Sequence, residues 1–131
     1  MRFFLKAKFL FFIFLLFMVK SLFALNFTEK NAFDLYQKGN YRNAYAIYFI
    51  LHEKNPIPKY CFYLGNISHI LQKYDEAENW YRRGIALSEN VNDSILFNLS
   101  VVLVFKDKLK ESLSYMKKIK NKTPLIRFAL S

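Results

Sequence analysis

Apolar positions follow two regimes along this chain. Phe9–Val19 is an unbroken run of eleven apolar residues. Downstream, apolar residues recur at intervals of three and four, the spacing that lines one face of a helix. Tyr74, Ala77, Tyr81 and Ile85 are the clearest set. A bulky residue opens that stretch after a polar turn, and a small one follows where two helices must touch closely. The same order returns at Tyr41, Ala44 and Tyr48, and again at Leu109, Ser112 and Met116. The three leading residues stand 33 and 35 positions apart. Ahead of each lies another apolar helical stretch: Ala32–Gln37, Tyr60–Leu71 and Ser94–Phe105. Strand-period alternation is absent from the sequence. The pattern predicts six helices in three hairpins, an all-α fold.

The punctuation agrees. Gly39-Asn40 and Lys106-Asp107 mark turns inside the hairpins, and Pro56 and Pro124 fall where helices end or begin. Gly65 stands mid-helix, where glycine costs about 1 kcal/mol against alanine unless a close helix contact requires it. A period near 34 residues, Leu64-Gly65 in a first helix, and Tyr74, Ala77 and Tyr81 in the second resemble the tetratricopeptide repeat family. The third unit departs most, with Leu99-Ser100 for Leu-Gly, Leu109 for Tyr and Ser112 for Ala. The first-helix Trp of the family is absent, and Trp80 lies in a second helix instead. The resemblance implies a right-handed superhelical stack of three helix–turn–helix hairpins, at about 25–57, 58–92 and 93–125. Residues 126–131 would form a short tail or partial capping helix.

The first 24 residues read differently. Arg2, Lys6 and Lys8 precede the apolar run, and Ser-Leu-Phe-Ala closes the segment at Ala24. A basic start, a short apolar centre and a small residue make the layout of a secretory signal peptide cleaved after Ala24, or of a retained membrane anchor. Eleven helical residues cover about 16 Å, roughly half a bilayer's hydrocarbon thickness. An exported protein, periplasmic or held at the inner membrane, is the expectation if the source is bacterial.

Composition removes most chemistry. In 131 residues there are three glycines, one cysteine and two histidines. Phosphate-cradling glycine loops and intrachain disulfides are therefore excluded. His52 and His69 lie in different helices with no metal-ligand spacing, so no metal site is expected. Cys61 falls on a packing side and reads as a buried, inert thiol. Asp75, Glu76 and Glu78 open a helix, where acids suit its dipole. No catalytic residue, cofactor or small-molecule substrate is expected. Charge is uneven: residues 25–105 balance at eight basic and eight acidic, while 106–131 carry eight basic against two acidic. Lys106, Lys108, Lys110, Lys117, Lys118, Lys120 and Lys122 form a candidate basic patch. Export argues against nucleic acid, leaving an acidic partner or anionic lipid.

The family resemblance places partner binding on the first helices, which line a concave groove. Carried over by position, the groove residues are Phe33, Tyr36 and Gln37, then Phe62, Asn66, His69 and Ile70, then Phe97, Val101, Val104 and Phe105. Only Asn66 echoes the clamp by which chaperone-adaptor members hold a carboxylate, and Glu29 and Phe33 contradict it. Ser94–Phe105 is apolar on nearly every side, and only Leu125, Ile126, Phe128 and Leu130 follow to cover it. The expected function is a non-catalytic protein–protein interaction module, an exported adaptor or assembly factor of a cell-envelope complex. The alternative is a membrane-anchored subunit that self-associates through its third repeat.

Overall fold

The computed structural model describes residues 1–23, 27–90 and 92–131. Among them lie eight helices: α1 (Arg2–Phe23), α2 (Glu29–Gln37), α3 (Tyr41–Lys54), α4 (Pro58–Ile70), α5 (Tyr74–Leu87), α6 (Asp93–Phe105), α7 (Leu109–Lys118) and α8 (Pro124–Leu130). The cleavage point expected after Ala24, and the start of the first unit at Leu25, fall outside the described residues. Helices α2–α7 form three antiparallel hairpins, each stacked on the next. Residues 3–19 of α1 are exposed throughout. Among the described residues, no helix is long and apolar enough to cross a membrane.

Each second helix begins at the residue the spacing predicts: Tyr41, Tyr74 and Leu109. One turn geometry sets all three starts. Gly39, Gln72 and Asp107 adopt positive φ of 77°, 60° and 56°. The next amide then reaches back to the first helix: Asn40 N–H to Leu35 O at 2.9 Å, Lys73 N–H to Ser68 O at 2.8 Å, Lys108 N–H to Leu103 O at 2.8 Å. These bonds satisfy carbonyls that the ended helix leaves open. Glycine holds this conformation freely, and aspartate tolerates it better than glutamine. Gln72→Gly is therefore expected to stabilise the fold by about 0.5–1 kcal/mol and Asp107→Gly by less, read as a rise in thermal midpoint.

Packing follows the small residues. Ala44, Ala77 and Ser112 are buried on the second helices, as are Ala32, Gly65 and Ser100 on the first. Ser112 does more than stand in for alanine, because its hydroxyl donates to Ser100 O at 2.8 Å across the α6–α7 contact. At Gly65 a Cβ would meet the Tyr81 ring, 2.7 Å from Cδ1 and 2.9 Å from Cζ. The core divides into three clusters of apolar side chains: around Tyr48 and Leu64, around Tyr81 and Leu99, and around Leu96, Ile119 and Ile126. Stability thus passes from neighbour to neighbour along the stack.

The third unit is covered unevenly. Six residues of α6 are buried, and Ile126 of α8 closes one side. Phe105, Leu109, Leu125 and Phe128 stay exposed. Asp93 ties the start of α6 to the loop after α7, accepting from the backbone N–H groups of Lys120 (3.1 Å) and Asn121 (3.0 Å). Those two bonds hold its carboxyl below the usual carboxylate range.

One acidic residue departs from expectation. Glu78 is buried and is not a solvated acid at a helix start. It receives Arg82 Nε at 2.9 Å and Nη2 at 2.8 Å from its own helix, and Lys106 and Lys108 from the α6–α7 turn. Burial alone would raise its pKa, but hydrogen bonds from Lys106, Arg82 and Lys108 prevail and hold it at about 2. Glu78 therefore joins the second hairpin to the third.

A candidate protein-interaction surface

The first helices α2, α4 and α6 bring most of the predicted groove residues onto one face. Tyr63 is its aromatic centre: Phe33 meets it edge-on at 6.0 Å, Tyr36 at 5.3 Å and Phe62 at 5.4 Å. Tyr48 stacks flat against its other side at 4.7 Å. At the far end, His69 lies edge-on to Tyr74 and to Phe105 at 5.4 Å, and Phe105 stacks on Tyr74 at 5.1 Å. Val101 is half-buried, while Ile70 and Val104 are exposed nearby in sequence.

Between the two aromatic ends runs a polar stripe. Asn66 Oδ1 accepts from the Tyr81 hydroxyl at 2.7 Å and from Asn98 Nδ2 at 2.8 Å. The Asn66 side chain also bonds to the hydroxyl of Tyr36, whose pKa is raised by burial and only partly lowered by that bond. The three first helices are thus linked through Tyr36, Asn66 and Asn98. His69 is desolvated, which lowers its pKa and keeps the ring neutral near pH 7. Such a surface carries no net charge at its centre. Its aromatic edges take up apolar side chains, and its carboxamides suit the donors and acceptors of a peptide backbone.

Two members of this surface escape the positional carry-over. Tyr63 and Asn98 stand one residue off the positions transferred from the family, so the signal available was the helix-face spacing Asn66–Tyr63 and Asn98–Val101, not the motif. One predicted member is displaced. Phe97 packs with Leu96, Ile119 and Ile126 toward α8, because α8 occupies the place a following repeat would take.

The basic patch is not a single surface. Lys106 is paired with Asp75 and Glu78, and Lys108 lies 3.2 Å from Glu78, so both are neutralised at the hairpin turn. At the other end of α7, Lys118 sits 4.8 Å above the Tyr115 ring and Lys122 Nζ donates to Ile119 O at 2.7 Å. Lys110, Lys117 and Lys120 remain exposed. Sequence position crowds these lysines, but ten residues of helix hold them about 15 Å apart at the extremes.

Cys61 offers no nucleophile. Its Sγ lies 3.7 Å from His52 Nδ1, both residues being buried, with Trp80 edge-on to the imidazole at 5.2 Å. Burial pushes the thiol up to about 11. Burial, then the nearby Arg83, lowers the His52 pKa, so the pair rests as thiol and neutral imidazole.

Residues 58–91, the α4–α5 hairpin, match the family model described as tetratricopeptide repeat. That hairpin is thus similar to a tetratricopeptide repeat, and all-helical hairpins of the same build stand on either side of it. Among solved structures, the fold is similar to that of SycD, the type III secretion translocator chaperone of Yersinia enterocolitica. One SycD structure, described as an alternative dimer, superposes with a TM-score of 0.69 at 20% identity, covering 77% of this chain and 84% of that one. A second, in complex with a peptide of the translocator YopD, gives 0.70 at 20% identity, covering 77% and 85%. Comparison with curated protein sequences gives no match.

Proposed function

We propose that this chain is a non-catalytic adaptor or assembly factor of a bacterial cell-envelope complex, gripping a partner segment on the face of α2, α4 and α6. The observation that carries this reading is the continuous neutral stripe of Tyr36, Asn66 and Asn98 between two aromatic ends. Asn98 is half-buried on this face, where its carboxamide can meet a partner's backbone. That the similar SycD was solved with a translocator peptide supports a protein segment as ligand. The export part of the reading rests on Arg2, Lys6 and Lys8 followed by the apolar run of α1, all exposed. Whether α1 is removed or retained, it is distinct from the repeats in composition.

The test is selection of peptides from a random display library against the chain, then titration of the best binder. Asn98→Ala is expected to weaken that binder about tenfold, with a fall in stability of only about 1 kcal/mol, because Asn98 is half-buried and the loss of its bonds to Asn66 and Tyr81 leaves those two still paired with each other. A binder unaffected by Asn98→Ala and by Phe33→Ala would remove the reading.

Self-association through the third unit is favoured by a specific observation. Leu125 and Phe128 of α8 are 69% and 80% exposed, on the end of the stack that a further repeat would cover. On this second reading the chain is a membrane-anchored subunit. Phe128→Glu would then convert a concentration-dependent dimer to monomer in sedimentation, and a monomer before the change would exclude it.

A further inference from the structure

The opposite face of the stack carries a second feature that the groove reading does not use. On α3, Arg42, Tyr45 and Phe49 share one stripe. On α5, Glu76, Trp80 and Arg83 share another, with Lys73 at its N-cap. The two stripes border adjoining cavities of about 370 Å³ and 210 Å³, which have Tyr45 and Glu76 in common. The smaller reaches Trp80 and Arg83, and the larger reaches Arg42 and Lys73.

The floor is aromatic and fixed. Trp80 Nε1 donates to the Tyr45 hydroxyl at 3.0 Å, Phe49 stacks on Tyr45 at 6.4 Å, and Arg83 lies over the Trp80 ring at 4.9 Å. The single acid of the cleft is engaged from within. Glu76 takes the Ser68 hydroxyl at 3.0 Å and a hydrogen bond from Tyr45, with Lys73 at 3.9 Å. Arg42 and Arg83 are exposed and form no ion pair among the described residues. Cations therefore stand at both ends of an aromatic floor. Ten residues of helix separate Lys73 from Arg83, about 15 Å, the length of about five extended residues.

We infer that the α3–α5 cleft is a second docking site, taking an extended acidic segment of a partner protein with carboxylates about five residues apart and an apolar residue between them. The carboxylates meet Arg42 and Lys73 at one end and Arg83 at the other, and the apolar side chain lies against Tyr45 and Trp80. An arginine held over an indole is pre-arranged for a carboxylate and loses little freedom on binding it. The site is separate from the groove stripe, since it is lined by α3, α5 and the C-terminal end of α4 and involves none of Tyr36, Asn66 or Asn98.

Trp80 is the chain's one tryptophan, and it lines this cleft, so its fluorescence reports on the site. The probe is the peptide acetyl-Glu-Ala-Phe-Ala-Ala-Glu-amide, titrated into the full chain, with a lysine-for-glutamate version and phosphatidylglycerol vesicles in parallel. The expected result is a saturable change with the acidic peptide, weaker at higher salt, absent with the lysine peptide and weakened about tenfold in Arg42→Gln/Arg83→Gln. Helix content by circular dichroism checks that this variant is folded, and Arg83→Lys, keeping charge without the planar guanidinium, should bind at an intermediate level. Equal affinity for wild type and the double variant, or no response to the peptide, would overturn the proposal. Quenching by the vesicles alone would overturn it too and assign the cleft to a lipid surface. None of these outcomes bears on binding measured through Asn98.

Discussion

Gly65→Val is expected to cost about 3 kcal/mol of stability, read as a fall in the urea midpoint with an unchanged slope. The reason is local. Tyr81 is fully buried, its ring already fills the space where the new Cβ would stand, and its hydroxyl is held by Asn66. The ring cannot retreat without breaking that bond and lifting α5 from α4. Gly65→Ala should cost less, about 1–2 kcal/mol, because alanine's helix propensity offsets part of the overlap. Gly65→Ala with Tyr81→Leu should lose less than the sum of the two single changes, since the smaller side chain makes room. Additive losses would mean that the helices do not meet at this pair.

Glu78→Gln is expected to cost about 2–3 kcal/mol at pH 7. It leaves Arg82, Lys106 and Lys108 gathered around a neutral amide at the junction of two hairpins. The carboxyl's folded pKa of about 2 lies below its ordinary value of 4.5, so its contribution is present in full above about pH 5. It is lost as pH falls through the folded value, and the loss is at most about 3 kcal/mol because Arg82 and Lys108 are partly exposed to solvent. The wild-type thermal midpoint should therefore fall between pH 5 and pH 2.5 more steeply than that of Glu78→Gln. Parallel curves for the two proteins would show that the cluster adds nothing to the fold.

Much of this architecture is legible in the sequence because packing repeats. A small residue three after a bulky one appears in all three second helices, and Ala44, Ala77 and Ser112 are buried as that pattern requires. The starts at Tyr41, Tyr74 and Leu109 follow from it. Glu78 is different: from the sequence it is one acid among three at a helix start, and only the turn of the next hairpin brings Lys106 and Lys108 to it. The same long-range pairing removes those lysines from the basic patch that their spacing suggests. Asn98 was hidden for a similar reason, since its partner Asn66 is 32 residues away and the bond depends on how two hairpins stack. The α3–α5 cleft belongs to this class as well, its two stripes being ordinary on either helix alone. What repeats within a hairpin can be read along the chain, and what joins hairpins cannot.

The central claim is that the face of α2, α4 and α6 receives the partner, and one spectrum tests it directly. In a ¹⁵N–¹H correlation spectrum, the side-chain amides of Asn66 and Asn98 report on the groove, and the single indole of Trp80 reports on the opposite face. With the library-selected peptide added, the predicted result is a shift of both asparagine amides while the indole stays in place. Asparagine signals that do not move as the peptide saturates the chain would contradict the account.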